Sequence, residues 1–205
     1  MTGFWRGTAP LVLASQSRAR QSLLAAAGIP FEICPAAIDE RGIEAPLVTS
    51  DANARDVALH LSRAKALPVS GGKPGRLVIG ADQTLCLEGH LFGKPAGRAA
   101  AAAQLEALSG RTHELYSGCC VARGNIILFE TVGAARLSCR RLSPAFIDAY
   151  MAQVSDAVLS SAGVYQIEGL GIHLFETIEG DHATILGLPL LQLLKFLREE
   201  GSLLS

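Results

Sequence analysis

Arg76-Leu-Val-Ile-Gly-Ala-Asp-Gln-Thr-Leu-Cys-Leu-Glu-Gly-His-Leu-Phe-Gly-Lys-Pro95 is the stretch whose reading decides the fold. Leu77-Val78-Ile79 is an apolar, β-branched run and predicts a strand buried on both faces. Gly80 and Ala81 remove side-chain bulk where that strand is expected to end, and Asp82 follows at once. A carboxylate at the carboxyl end of a buried strand, after small residues, is well placed to face a cleft. Thr84 to Leu87 resume a strand-like run, Glu88-Gly89 signals a turn, and Gly93-Lys94-Pro95 ends a hairpin expected to bring Lys94 back toward Asp82. The competing reading of Asp82 is an ordinary strand-end residue satisfied by backbone N–H groups.

Outward from this stretch, strands and helices interleave. Pro10 to Ala14 reads as a short buried strand, and Ser15 to Gly28 as a helix capped by Ser15 or Ser17 and stopped by Gly28. A serine-rich turn, a helix N-terminus, Arg18 and Arg20 together suit a phosphate; a capped helix with its arginines in solvent is the plainer alternative. Phe31 to Cys34 is a further strand leading to Asp39-Glu40, and a loop with Glu44 and Pro46 precedes a helix from about Asp51 to Leu67. On that helix Lys65 shares a face with Val57, Leu61 and Ala64, so it leans toward the apolar side. There it either snorkels to the rim or holds a phosphate, and its removal is expected to leave thermal stability unchanged or improved. Pro68 to Gly75 reads as a loop, Arg98 to Leu108 as a helix, and His113–Ala122 with Asn125–Thr131 as a hairpin. Gly133 to Cys139 is read as a separate strand, Ser143-Pro144 as a cap opening a helix, and Ser161 to Glu168 as leading into a strand. Ile172 to Ile178 follows as another strand, and a leucine-rich helix from about Leu190 ends at Gly201. This alternation means α/β.

With 205 residues, 49% hydrophobic and 18% charged, the chain builds a substantial core and is not disordered. A net charge of −1 with no long basic run argues against nucleic acid as the main partner. The start has no charged segment followed by an apolar signal core, and no apolar run approaches the ~20 residues that span a bilayer. The five cysteines form no CxxC pair, so reduced, mostly buried thiols in a cytoplasmic protein are expected rather than a zinc site.

With these segments placed, the chain resembles the Maf family of nucleoside triphosphate pyrophosphatases from about Leu11 to Gly201. The resemblance is carried by Leu13-Ala-Ser-Gln-Ser-Arg-Ala-Arg20, Asp39-Glu40, Lys65-Ala66, Ala81-Asp82-Gln83, Gly93-Lys94-Pro95, Ser109 to His113, Ala162-Gly163 and Gly187-Leu-Pro-Leu190. No one of these motifs is specific; their common order is. The resemblance implies an elongated two-lobed α/β fold, a mixed sheet flanked by helices with a cleft between the lobes, covering 11–205 as one domain after a ten-residue extension. It also implies hydrolysis of a nucleoside triphosphate to monophosphate and pyrophosphate, a divalent metal cation (magnesium or manganese) and a homodimer. The implied catalytic residues are Asp82, Lys65 and Lys94, with Glu40 and Asp82 as metal ligands. Ser15, Ser17, Ala19, Arg20, Gln83 and Glu168 fall at substrate-binding positions. Asp82 resembles the family's catalytic Asp, described as a proton acceptor, and either takes a proton or ligates metal. Phosphoryl chemistry independently asks for such a set, a carboxylate for metal or water and cations for the phosphate charge.

Three departures concern the base. Ala19 stands for an Arg of the members acting on dTTP and UTP, Gln83 for a Thr, and Glu168 for a Gln. Gln83 and Glu168 instead resemble the branch acting on 7-methyl-GTP, although that branch carries Trp where Ala19 stands. A carboxylate at 168 suits the positive charge that N7-methylation gives guanine. The rival from another class is a nucleotide-binding regulator of cell division without turnover. No G-x-G-x-x-G follows a strand and no P-loop is present, which removes the dinucleotide-dependent oxidoreductases and P-loop enzymes.

Overall fold

The computed structural model describes residues 3–40, 42–43, 53–159 and 161–205. The expected loop through Glu44 and Pro46, and the expected helix start at Asp51, lie outside them. Strands β1 (Leu11–Leu13), β2 (Phe31–Ile33), β3 (Val78–Leu87), β4 (His90–Phe92), β5 (Thr112–Arg123), β6 (Ile126–Cys139) and β7 (Phe175–Glu179) form one mixed, open, seven-stranded sheet. Its order is β2-β1-β3-β5-β6-β7, with β4 paired to β3. Helices are α1 (Arg18–Ala26), α2 (Ala54–Gly71), α3 (Arg98–Leu108), α4 (Pro144–Gln153), α5 (Asp156–Leu159), α6 (His182–Ile185) and α7 (Leu190–Glu199). The chain divides into two compact units, the first from 1–83, 116–134 and 181–205, the second from 84–115 and 135–180.

In the first unit β1 pairs in parallel with β2 and β3, and Leu11-Val12-Leu13 is buried throughout because helices cover both faces. Strand alternation sorts the side chains. Leu11, Leu13, Ile79, Ala81, Cys119 and Val121 share a core with Leu24 of α1 and with Leu193 and Leu197 of α7. Val12, Ala14 and Val78 pack on Val69 of α2, and Cys120 and Ala122 pack on Ala66 of α2. Residues 78, 80 and 82 therefore look toward α2, and 79, 81 and 83 away from it. Trp5 belongs to the same core, and its backbone bridges to Leu203.

α2 reaches that sheet face more closely than side chains allow. A Cβ at Gly80 would stand 2.1 Å from the Ser62 carbonyl oxygen and 2.5 Å from the Ala66 nitrogen. One at Gly118 would stand 2.3 Å from the Ala58 carbonyl oxygen. The two glycines let helix backbone lie directly on strand backbone, and this fixes what α2 delivers to the next residue of the same face, Asp82.

The second unit holds the β3–β4 hairpin, with Leu85 opposite Phe92 and Leu87 opposite His90, and the β6–β7 pair. α3 packs against α4 and against a short 3₁₀ turn at Ala162–Val164. Among its buried side chains is His113, wholly inaccessible, with Nε2 2.7 Å from the Tyr165 hydroxyl. Burial takes the His113 pKa down to about 4, so the ring is neutral at pH 7.

Several boundaries differ from the sequence expectation for physical reasons. β3 does not stop at Gly80; it runs through Asp82 to Leu87, so Asp82 lies inside a strand rather than at its end. The charge is tolerated there because α2 supplies its partner. α2 continues past Pro68 to Gly71, because Val69 and Ser70 are tied down by packing and by the bond from the Asn125 N–H to Ser70 Oγ, 3.1 Å. That outweighs the cost of a helical proline, about 3 kcal/mol. The expected strand at Ser161–Glu168 does not form: a short 3₁₀ turn stands at Ala162–Val164, and the positive φ of Gly163 (79°) and Val164 (59°) is incompatible with extended backbone. Asn125–Thr131 and Gly133–Cys139 merge into the single strand β6. The Ser143 cap with Pro144 opening α4 is as expected.

Gly80→Ala tests the close approach. Chemical denaturation is expected to show a loss of ~3 kcal/mol or more, since the new methyl meets backbone that has nowhere to move. Gly93→Ala, whose Cβ meets nothing within 4 Å, is expected to change stability by no more than about 0.5 kcal/mol. Equal effects at both positions contradict the close packing of α2 on β3.

Candidate functional site

Lys65 lies one helical turn along α2 from Leu61 and Ser62, on the face that meets β3, and Asp82 projects from β3 toward the same helix. The Lys65 ammonium is 2.5 Å from Asp82 Oδ1 and 2.8 Å from Glu40 Oε1. Lys65 is 7% exposed and Asp82 8%, so the pair is desolvated, whereas the Glu40 side chain keeps 40% of its exposure. Lys65 therefore does not snorkel. Its stem packs in the apolar layer, and its charge ends between two carboxylates.

Arg20 is a second buried cation in this unit. Burial lowers its pKa from the ordinary value, and the Asp82 and Glu40 carboxylates act in the opposite sense. Its Nε donates to the Gly187 carbonyl at 2.8 Å and its Nη1 to Ser15 Oγ at 3.0 Å. Ser15 Oγ also accepts from the Ser17 N–H, and Ser17 Oγ caps α1 by accepting from the Arg20 N–H at 3.4 Å. Of the two expected caps, Ser17 is the one used, and of the two arginines Arg20 is buried while Arg18 is exposed. Ala19 is half-buried on α1.

Gln83, on the opposite sheet face, donates its amide N–H groups toward Ser117 Oγ (2.9 Å) and the carbonyls of Thr184 (3.1 Å) and Ile185 (3.0 Å). Backbone carbonyls only accept, so the amide nitrogen is fixed in this direction. Ser117 Oγ donates to the Thr184 carbonyl at 2.7 Å, and Asp181 caps α6 through the Thr184 N–H and hydroxyl. Ser117 and Thr184 went unseen in the sequence. They lie 34 and 101 residues from Gln83, and neither stands in a recognisable spacing.

The first unit thus assembles Ser15, Ser17, Arg20, Glu40, Lys65, Asp82 and Gln83. Lys94 and Glu168 belong to the second unit, and both are exposed. Among the described residues no group of three or more His, Cys, Asp or Glu converges as a metal centre. Glu40 and Asp82 nevertheless meet on one ammonium, and two carboxylates from separate segments are the hard oxygen donors that magnesium or manganese prefers. The donor chemistry fits such an ion.

Residues 10–200 match the family model described as Maf-like protein. Among curated proteins, one from Bradyrhizobium diazoefficiens named nucleoside triphosphate pyrophosphatase is 58% identical over 97% of both chains. One of the same name from Nitrobacter winogradskyi is 56% identical over 96% of both. A Brucella abortus protein named 7-methyl-GTP pyrophosphatase is 50% identical over 94% of this chain and 97% of its own.

The ion cluster reverses the stability expectation for Lys65. Replacing it with Met strands a buried carboxylate and is expected to cost about 3–5 kcal/mol. Adding Asp82→Asn to Lys65→Met should restore part of that loss, because the stranded charge is gone. Denaturation midpoints of the single and double variants check this; an unchanged Lys65→Met midpoint shows that the pair carries no stability.

Proposed function

The chain belongs to the Maf-like family, and we propose that it is a nucleoside triphosphate pyrophosphatase that hydrolyses 7-methyl-GTP between its α and β phosphates. The observation that carries this reading is the buried Asp82 carboxylate held by Lys65 together with Glu40. Phosphoryl transfer asks the protein for positioning and for charge, and this cluster supplies both.

In this reading Asp82 accepts a proton from water as the water oxygen bonds to the α phosphorus. The bond from that phosphorus to the bridging oxygen breaks, releasing pyrophosphate and leaving the monophosphate. Lys65 holds the Asp82 carboxylate in place and, with Arg20 and Lys94, offsets phosphate charge. The α1 N-terminus with Ser15 and Ser17 adds backbone N–H groups for an anion. Glu40 and Asp82 would hold a divalent cation, magnesium or manganese, whose part is Lewis-acid stabilisation of phosphate charge.

Glu168 and Gln83 read the base. 7-Methylguanine is cationic, and the Glu168 carboxylate makes a charge-assisted contact that a neutral pyrimidine cannot return. Ala19 offers no ring for stacking, so discrimination over UTP and dTTP is modest. The enzyme works in the cytoplasm as a homodimer on nucleotides rather than on nucleic acid or membrane. The near-zero net charge supports the choice of partner. Among the described residues no helix is long and apolar enough to cross a membrane.

Purified protein offered a nucleotide panel should release pyrophosphate fastest from 7-methyl-GTP, and Asp82→Asn should lower kcat by ~10³-fold with the fold retained. Activity of that variant within tenfold of wild type removes Asp82 from the chemistry. Glu168→Gln should lower kcat/KM on 7-methyl-GTP by the equivalent of about 1–3 kcal/mol and leave UTP hydrolysis equal or improved. A uniform loss on every nucleotide makes Glu168 something other than a reader of the base.

A further inference from the structure

Glu168 is exposed, and an exposed carboxylate discriminates between bases only if the backbone beneath it is fixed. The segment before it carries an unusual strain. Val164 has φ of 59°, a left-handed conformation that a β-branched residue adopts only when its surroundings impose it. Those surroundings are polar and buried. The Val164 carbonyl accepts from the Tyr150 hydroxyl at 2.9 Å, and the Gly163 N–H donates to Gln104 Oε1 at 3.3 Å.

The next residue, Tyr165, is the anchor. Its hydroxyl meets His113 Nε2 at 2.7 Å, its ring stands edge-on to Phe175 with centroids 4.8 Å apart, and its carbonyl accepts from Ser161 Oγ. Beyond it the chain turns back on itself. The Gly169 N–H donates to the Gln166 carbonyl, and a Cβ at Gly171 would lie 2.4 Å from that same oxygen. Glu168 therefore sits at the tip of a closed turn whose base is anchored in the buried interior by Tyr165, next to the Gly163 and Val164 backbone that Gln104 and Tyr150 hold.

We propose that Tyr165 and His113 are positioning residues for Glu168, their buried hydrogen bond setting base discrimination without contact with substrate. Buried His113 stays neutral at pH 7, which keeps this bond in a single charge state through the working range. The proposal rests on the reading that Glu168 recognises the base.

The test is a double-mutant cycle read as the ratio of kcat/KM on 7-methyl-GTP to that on UTP. Tyr165→Phe removes one oxygen and keeps the ring. It should lower the ratio about five- to tenfold, the worth of one well-made hydrogen bond, with UTP hydrolysis little changed. In a Glu168→Gln background the same substitution should leave the ratio where Glu168→Gln alone puts it. Amide exchange at residues 166–171 should quicken in Tyr165→Phe. A ratio that Tyr165→Phe leaves unchanged, or lowers equally in both backgrounds, overturns the positioning role while the base reading stands. If Glu168→Gln alone leaves the ratio unchanged, the base reading falls and this proposal with it. Should Tyr165→Phe not fold, His113→Asn gives the same comparison with the tyrosine intact.

Discussion

A lysine ammonium held between two carboxylates in a nearly dry layer is the constraint on which the first unit depends. Lys65, Asp82 and Glu40 come from a helix, a strand and a separate segment, and the buried two, Lys65 and Asp82, are each costly alone. A desolvated Asp inside a parallel-paired strand is unstable without a cation, and a lysine on an apolar helix face is unstable without an anion. Bringing them together requires α2 to lie on the sheet at backbone distance, which Gly80 and Gly118 permit. Packing thus places the charges, and the charges make that packing specific.

The same arrangement separates two tasks by strand alternation. Asp82 faces α2 and the Lys65 ammonium, while its neighbour Gln83 faces α6 and is fixed by Ser117 and two backbone carbonyls. Adjacent residues of one strand are thereby committed to opposite sheet faces. In the second unit another polar pair, His113 with Tyr165, stabilises a strained turn rather than an ion. Both units use buried polar contacts to hold conformations that the local sequence disfavours.

The α/β alternation was legible because its signals are local: apolar runs, the Ser143-Pro144 cap, the Gly28 stop. The pairing of Lys65 with an anionic partner was half legible, since helical spacing put the lysine on the wrong face for solvent and so demanded a partner. Its identity was hidden, because Asp82 joins it only when a helix packs on the strand 17 residues later. Gly80 misled the reading: a small residue after an apolar run looks like a strand end, yet here it is the contact point that lets the strand continue beneath α2. Pro68 misled in the same way, since tertiary packing of Val69 and Ser70 overrode a strong local preference. The turn at Ser161–Glu168 was illegible because nothing in Val164 itself signals a left-handed backbone; its environment imposes it.

In the proposed reaction the Asp82–Lys65–Glu40 cluster directs water to the α phosphorus. Hydrolysis of 7-methyl-GTP in ¹⁸O-enriched water, with products resolved by mass spectrometry, tests it most directly. One heavy oxygen in the monophosphate and none in the pyrophosphate is the expected result. Heavy oxygen in pyrophosphate, or in orthophosphate released as the main product, contradicts it.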